Sequence, residues 1–275
     1  MCVSRVARIA HGGHEQRTPA VRTTCPRQSP LFHSFLRDVK TLPLISVIIP
    51  TLNEADTLGA TLRRLQAQEG PLETIVVDGG SGDETQALAR SRGAAVLQAP
   101  KGRGTQMNRG AEAASGDIFL FLHADTLLPR NGLSLIRRAL HAPETTAGTF
   151  RLRFDAPTPL LRFYAWCTRW PWVRLCFGDR GQFMQRSAFE AVGGFPEWPL
   201  FEDLELAARL HAHGGFRFLD TAVTTSARRF RRHGLLRQQL RNLYLWGHYM
   251  LGTDPERVAP LYHEPPPDTE TRPPS

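Results

Sequence analysis

No stretch of this 275-residue sequence approaches the roughly 18 consecutive apolar residues that suggest a membrane-spanning helix. Cysteine is scarce: Cys2, Cys25, Cys167 and Cys176 are the whole complement, and no two form a C-x-x-C pair. That excludes a disulfide scaffold and a zinc site, and it fits a reducing compartment, so a cytoplasmic location is expected. Neither G-x-G-x-x-G nor G-x-x-x-x-G-K-[ST] occurs, which removes the two common backbone cradles for nucleotide phosphates. Acids are few at both ends. Residues 1–40 carry seven Lys or Arg against Glu15 and Asp38, a net +5 of the chain's formal +8. A second basic cluster, Arg228, Arg229, Arg231, Arg232, Arg237 and Arg241, has no acid between Ser226 and Thr253. No recognised nucleic-acid module accompanies this charge, and no nucleic-acid partner is expected.

What the chain does have is one large α/β core's worth of apolar residues, 41% of the total. Residues 1–43 lack apolar periodicity and read as a disordered extension, a transit-like segment or a start site placed too far upstream. From Leu44 the pattern becomes regular. Strand 45–49 precedes a helix with Leu58, Leu62 and Leu65 on one face, and strand 74–77 precedes a short helix capped by Asp83. A strand at 94–98, a small-residue helix at 105–114 and a buried strand at 117–122 follow, then a helix marked by Leu133, Ile136 and Leu140. This alternation predicts βαβ units and a mostly parallel, mixed sheet flanked by helices. Beyond strand 149–154 the character shifts to an aromatic block at 156–177. A short helix capped by Ser187, a helix over 202–213, a last strand at 216–223 and a Leu- and aromatic-rich helix over 235–251 complete the pattern. The expected division is an extension at 1–43, a catalytic domain at 44–225, a basic amphipathic extension at 226–263 and a Pro-rich disordered tail at 264–275. The catalytic domain splits into a donor half (44–126) and an acceptor half (127–225). No internal repeat is present.

Chemistry gathers where strands end. The runs Val47-Ile48-Ile49-Pro50-Thr51-Leu52-Asn53-Glu54 and Ile75-Val76-Val77-Asp78-Gly79-Gly80-Ser81 each finish in a polar turn that opens a helix, and ligands of open α/β sheets bind at such carboxyl-terminal strand ends. Asp78 there can accept a base N–H proton, or it can cap its own turn through an Asx-type bond. Asn53 and Glu54 can cap the first helix as well as frame a pocket. Lys101-Gly102-Arg103-Gly104 precedes a helix start that includes Asn108, an arrangement suited to phosphate. His123-Ala124-Asp125 follows an apolar strand, where a carboxylate can hold a hard cation beside substrate phosphates. Glu202-Asp203 opens a helix whose Leu206 and Leu210 face inward.

Taken in order, Pro50–Glu54, Asp78–Ser81, His123–Asp125, Gly178-Asp179-Arg180-Gly181-Gln182 and Glu202-Asp203 resemble the inverting family 2 glycosyltransferases. The likeness spans roughly 44–223. It implies a GT-A-type fold, a nucleotide-sugar donor (UDP-type favoured) and Mg²⁺ or Mn²⁺ as cofactor. By the same resemblance, Pro50, Thr51, Asn53, Glu54, Asp78, Gly80, Lys101, Arg103, Asn108, His123 and Asp125 are donor-binding. Asp125 takes the metal, with His123 standing where the family has its first acid and able to join it. Asp203 aligns with the general base, and Asp179, Gln182 and Glu202 with acceptor contacts. The Arg-rich C-terminal helix and the motif variants are similar to those of a compact bacterial subgroup associated with arsenosugar biosynthesis. The acceptor itself is unknown.

Two other function classes share parts of this pattern. A sugar-phosphate nucleotidylyltransferase would need a Gly-rich basic loop directly after the first strand, where Pro50–Glu54 stands instead. A silent nucleotide-sugar-binding protein would have no need of both Asp125 and Asp203. The aromatic block reads as core packing or a cover for a hydrophobic acceptor. The 228–251 segment either lies on an anionic membrane surface, peripheral to its inner face, or packs on the domain and sends one or two arginines to the diphosphate.

Overall fold

A computed structural model describes residues 42–156 and 158–261. The predicted N-terminal extension up to residue 41 and the predicted Pro-rich tail lie outside the described residues. Strand β1 (Ile45–Thr51) leads to helix α1 (Ala55–Gln66), and β2 (Leu72–Asp78) to α2 (Thr85–Ser91). Then come β3 (Ala95–Gln98), α3 (Arg103–Ala113), β4 (Ile118–Phe121), the short β5 (Thr126–Leu127) and α4 (Gly132–Leu140). The second half runs β6 (Thr145–Phe154), α5 (Pro159–Cys167), β7 (Gln182–Gln185), α6 (Arg186–Ala191), α7 (Glu202–His213) and β8 (Gly215–Thr225). Helices α8 (Arg228–His233), α9 (Leu235–Met250) and α10 (Pro255–Val258) follow.

The eight strands form one sheet in the order β3-β2-β1-β4-β7-β6-β8-β5. Strands β3, β2, β1 and β4 are parallel, as are β6 and β8. Strand β7 is antiparallel to both β4 and β6, and β5 is antiparallel to β8. The predicted mixed, mostly parallel α/β sheet is what forms. After β3 the chain crosses back to place β4 on the other side of β1, so the sheet reverses its winding beside β1. The register pairs Thr51 with Asp78 and Ile48 with Phe121, which brings the three polar turns after β1, β2 and β4 to one edge.

Burial explains why these runs are strands. Every residue of β1 and β4 is buried, as central parallel strands covered on both faces require. One core layer joins Ile45, Val47 and Ile49 to Leu58, Leu62 and Leu65 of α1. The other joins Ile48, Phe119 and Phe121 to Met107 of α3 and to Phe189 and Phe195. A methyl added at Gly110 would run into Ile48 Cγ2, so this glycine sets how closely α3 lies on the sheet.

Several local expectations need correction. Ser187 does not cap α6; Gln185 stands at the cap position with no side-chain bond, and Ser187 lies inside the first turn. Helix α3 begins two residues before the predicted 105, so Arg103 belongs to its first turn. Two short strands are additions: β5 has only two residues, and β7, Gln-Phe-Met-Gln, has no β-branched residue to mark it. Asp83 does not stand at the cap of α2, a position held by Glu84 without a side-chain bond; its carboxylate instead accepts from Thr85 N at 3.1 Å, an Asx-type turn one residue earlier. It also accepts from Ala55 N at 3.1 Å, which ties α1 to α2. Among the described residues, no helix is long and apolar enough to cross a membrane.

Candidate active site

The turns after β1 and β2 are held by a network centred on Asp78. Its carboxylate, fully buried, accepts from Gly80 N at 3.0 Å, Ser81 N at 2.9 Å, Gln86 Nε2 at 2.9 Å and Thr51 Oγ1 at 3.3 Å, with the Ser81 hydroxyl closer still. Burial pushes the carboxyl pKa up, but these donors overcome it and hold the group below its ordinary value. The carboxylate of Asp78 thus caps its own turn, of which Gly80 (φ +94) is part. Asn53 adopts φ +55, a left-handed conformation that asparagine tolerates. It caps no helix. Its N–H donates to Ser81 Oγ at 2.9 Å and its side-chain oxygen accepts from Gly82 N at 2.9 Å, stitching the two turns together.

Gln106, which the sequence pattern did not single out, closes the floor. Its amide donates to Thr51 O at 2.9 Å and Val77 O at 2.8 Å, saturating the ends of β1 and β2. Asn108 is committed elsewhere: its amide exchanges two hydrogen bonds, of 2.9 and 3.0 Å, with the backbone of Phe195. Pro50 and Thr51 are buried in β1, whereas Lys101 is exposed.

The second group lies after β4. Asp125 pairs with Arg228 Nε at 3.6 Å, and the same guanidinium holds Glu54 through both carboxylate oxygens. Arg228 therefore bridges the turn after β1 to the turn after β4. Sequence reasoning placed it in a basic segment that could send one or two arginines to the diphosphate without singling it out, and its signal was its position just past the end of β8. Burial raises the Asp125 pKa, with Glu54 adding to the rise and Arg228 opposing it. His123 is neutral. Burial, with Arg103 and Arg229 nearby, lowers its pKa to about 3.

The acceptor-side residues meet this group at Gly178. A methyl there would lie 2.9 Å from His123 Nε2 and 3.1 Å from Asp203 Oδ2, so only glycine lets the three approach. Asp203 sits in the first turn of α7, where its carboxylate accepts from Gly178 N and, at 2.8 Å, from Leu204 N. Phe201 before it holds φ +66, an uncommon strain for an aromatic residue and one that sets where Glu202 and Asp203 point. Gln182, nearly fully buried, donates to Asp203 O at 3.0 Å and Cys176 O at 2.8 Å. It positions Asp203 rather than reaching outward with its amide nitrogen. Glu202 pairs with Arg103 Nε at 2.7 Å, a link between donor and acceptor halves. Burial raises its pKa, Arg103 opposing and Asp203 adding.

Asp179 Oδ1, Gln182 Oε1 and Glu202 Oε2 are buried acceptor atoms with no hydrogen-bond partner among the described residues. Burial, with the nearby Asp203 charge, pushes the Asp179 pKa up to about 7 against the pull of Arg180. The sign of its linkage follows. The folded protein holds a proton that the unfolded chain releases near 3.8. The stability of neutral Asp179 is fully present below that value and is lost as pH rises toward about 7. Asp179→Asn, neutral throughout, is therefore expected to gain stability relative to wild type on going from pH 4 to pH 8. Urea unfolding at the two pH values checks this, and an unchanged difference would contradict the buried carboxyl.

Among the described residues no three His, Cys, Asp or Glu side chains converge as a ready metal cage. The donor chemistry is still that of a cation site, since Glu54 and Asp125 already close on one guanidinium. A hard divalent ion held by one or two carboxylates, with phosphate oxygens completing its shell, suits this set.

A family model described as "Glycosyl transferase family 2" matches residues 46–195. The "Probable glycosyltransferase YdaM" of Bacillus subtilis (strain 168) is 28% identical over 215 residues, covering 68% of this chain and 51% of that protein. A "PGL/p-HBAD biosynthesis glycosyltransferase" of Mycobacterium bovis (strain BCG / Pasteur 1173P2) is 40% identical over 94 residues, 31% of this chain and 37% of that one. The chain thus spans about half the length, or less, of these relatives. Among solved structures, S. aureus TarS 1–349 in complex with UDP-GlcNAc superposes with a TM-score of 0.55 at 17% identity, covering 66% of this chain and 58% of that one. The mannosyltransferase PcManGT from Pyrobaculum calidifontis, in complex with GDP-Man and Mn²⁺, gives 0.55 at 24% identity, covering 80% and 68%. These neighbours establish the α/β architecture as that of GT-A glycosyltransferases.

Proposed function

The chain belongs to glycosyl transferase family 2, and on that premise we propose that it moves a sugar from a nucleotide-diphosphate donor to an acceptor hydroxyl, with inversion and with a divalent cation. The observation that carries this reading is the junction at Gly178, where the donor-side His123 and the acceptor-side Asp203 come within contact of one small residue. A donor seated on the turns after β1, β2 and β4 would place its anomeric carbon near that junction.

Inverting transfer needs a base on the sugar face opposite the leaving diphosphate, and we assign that role to Asp203. Its carboxylate takes the acceptor hydroxyl proton as the oxygen attacks the anomeric carbon and the diphosphate departs with the bonding pair. Gly178 N and Leu204 N fix the carboxylate, and Gln182 fixes its backbone. Glu202 and Asp179, each with an unpartnered buried oxygen, offer acceptors to sugar hydroxyls. Asp125 would hold the cation, with Glu54 or His123 beside it. When bound, Mg²⁺ or Mn²⁺ neutralises charge on the departing diphosphate. Arg228, paired with Glu54 and Asp125, and Arg103, paired with Glu202, bring guanidinium groups to these turns. The His123-Ala124-Asp125 variant and the Gly178–Gln182 stretch support a place beside the bacterial subgroup associated with arsenosugar biosynthesis, working in the cytoplasm.

The direct test is calorimetric titration with UDP, GDP, dTDP and CDP, each with Mn²⁺, Mg²⁺ or EDTA. One nucleotide should bind, UDP by preference, and its affinity should fall at least about tenfold in EDTA. Failure of all four to bind would remove the nucleotide pocket and the function with it.

A further inference from the structure

The two carboxylates best suited to a divalent ion, Asp125 and Glu54, already hold a cation that belongs to the chain. Arg228 Nη2 donates to both oxygens of Glu54, and Arg228 Nε stands 3.6 Å from Asp125 Oδ2. The acids come from the turns after β1 and β4. Like charges brought together this way repel unless a positive group lies between them. The sequence pattern allowed an arginine of this segment to reach the diphosphate. In the structure that arginine is on the carboxylates instead.

The backbone of Arg228 is pinned, while its side chain lies at the surface. Strand β5 pairs Thr126 with Thr225, and their hydroxyls share a 3.1 Å hydrogen bond. This register sets the residues just past β8 beside Asp125. The Asp155 carboxylate then holds the turn, accepting from Ala227 N at 2.8 Å and from Ser226 Oγ at 3.3 Å. Ala227 is buried, and Phe230 packs edge-on against Phe154 with ring centroids 5.6 Å apart. The Arg228 side chain is 39% exposed, so moving it off the carboxylates opens no cavity in the core. Glu54 is seated independently, because Thr57 Oγ1 donates to its Oε2 at 2.7 Å.

We propose, resting on the cation role given above to Asp125, that Arg228 is an internal counter-cation that keeps Glu54 and Asp125 from taking a free divalent ion until a diphosphate arrives. A guanidinium is a forked donor that suits phosphate as well as carboxylate. When the donor's diphosphate reaches the turns, Arg228 exchanges its carboxylate partners for phosphate oxygens. The carboxylates are thereby released to the ion that accompanies the diphosphate, and every charge keeps an opposite partner. Ion and nucleotide then bind as a coupled pair, each weak without the other. A purely structural clamp acts in the opposite sense: without it the two acids would part, and any ion they hold would bind more weakly.

The test is titration of Mn²⁺ alone into the full chain, with free Mn²⁺ read from its electron paramagnetic resonance signal. Arg228→Gln should bind Mn²⁺ at least about tenfold more tightly than wild type, the factor that a bridge closed about nine-tenths of the time removes from apparent affinity. Arg228→Lys, which keeps the charge but not the fork, should fall between. Arg228→Gln/Asp125→Asn should lose the gain. Melting curves give a second readout: Mn²⁺ should raise the melting temperature of Arg228→Gln more than that of wild type. Mn²⁺ affinity in Arg228→Gln equal to or below that of wild type would overturn the exchange and leave the proposed function standing. Mn²⁺ bound by none of these proteins, with or without the nucleotide that calorimetry selects, would overturn both by removing the cation role itself. With that nucleotide, the ratio of its affinities in Mn²⁺ and in EDTA should be smaller in Arg228→Gln than in wild type, and an unchanged ratio would also count against the exchange.

Discussion

Asp203→Asn is expected to lower sugar transfer between about 100-fold and 10,000-fold, the usual contribution of a positioned general base. Nucleotide affinity should stay within about twofold of wild type, because the side chain lies across the Gly178 junction from the donor turns. Asparagine keeps the size of the side chain but has a single acceptor oxygen where aspartate has two. It can retain the bond from Leu204 N or the one from Gly178 N, not both. The lost bond should cost about 1 kcal/mol of stability, too little to unfold a domain of this size. Initial rates with the donor identified by calorimetry, paired with nucleotide titration of the same variant, check both halves. Transfer at the wild-type rate would remove Asp203 from the base role, and lost nucleotide binding would show that the substitution disturbs more than the base.

The sheet was legible because its central strands are buried on both faces and announce themselves as β-branched runs. Strand β1 and strand β4 needed only their composition, and the turn that follows each was marked by polar residues. The short strands β5 and β7 were not legible, since β5 has two residues and β7, Gln-Phe-Met-Gln, has no β-branched residue, and both form where β8 and β4 present edges to pair with. In the site, the chain order of the motifs identified which acids to watch but not what each side chain does. Asp78 and Asn53 carry the right chemistry for a ligand, and their bonds to the turns that frame the pocket could not be read from the motif. Gln106 looks like an ordinary helix residue in sequence, and Gln182, marked by the resemblance as an acceptor contact, gives no sign there of its bond to the backbone of Asp203. Their roles appear only when the ends of β1 and β2, or the backbone of Asp203, are seen to need a donor. Arg228 lies 174 residues from its partner Glu54. Nothing local in the sequence couples the two. The coupling comes from β8 running parallel to β6 and ending beside the same sheet edge.

The largest effect on stability is expected at Arg180, whose side chain is completely buried. Its guanidinium donates to Phe150 O at 2.8 Å, Leu175 O at 3.1 Å and Thr168 O at 3.1 Å, and lies over the Phe218 ring. These carbonyls come from β6, from the end of α5 and from the turn before Gly178, so one side chain fastens the acceptor-side segment to the sheet. Burial lowers the Arg180 pKa from its usual value. Arg180→Met keeps most of the volume and removes the donors, leaving three carbonyls to find other partners. Breaking such a buried charged network costs about 3–5 kcal/mol, which for a domain of this size lowers the melting temperature by roughly 10 °C. Asp179 should respond as well, because Arg180 is the neighbouring charge that pulls its carboxyl down. Without it the carboxyl stays protonated to higher pH. Nucleotide binding below the melting transition should be preserved, since the donor turns are built on β1, β2 and β4 and none of the three carbonyls belongs to them. Differential scanning calorimetry with and without nucleotide reads both effects. A melting temperature within about 2 °C of wild type would mean that the guanidinium is not what holds the Gly178 segment, and the placement of Asp203 would then rest on Gln182 and the α7 backbone.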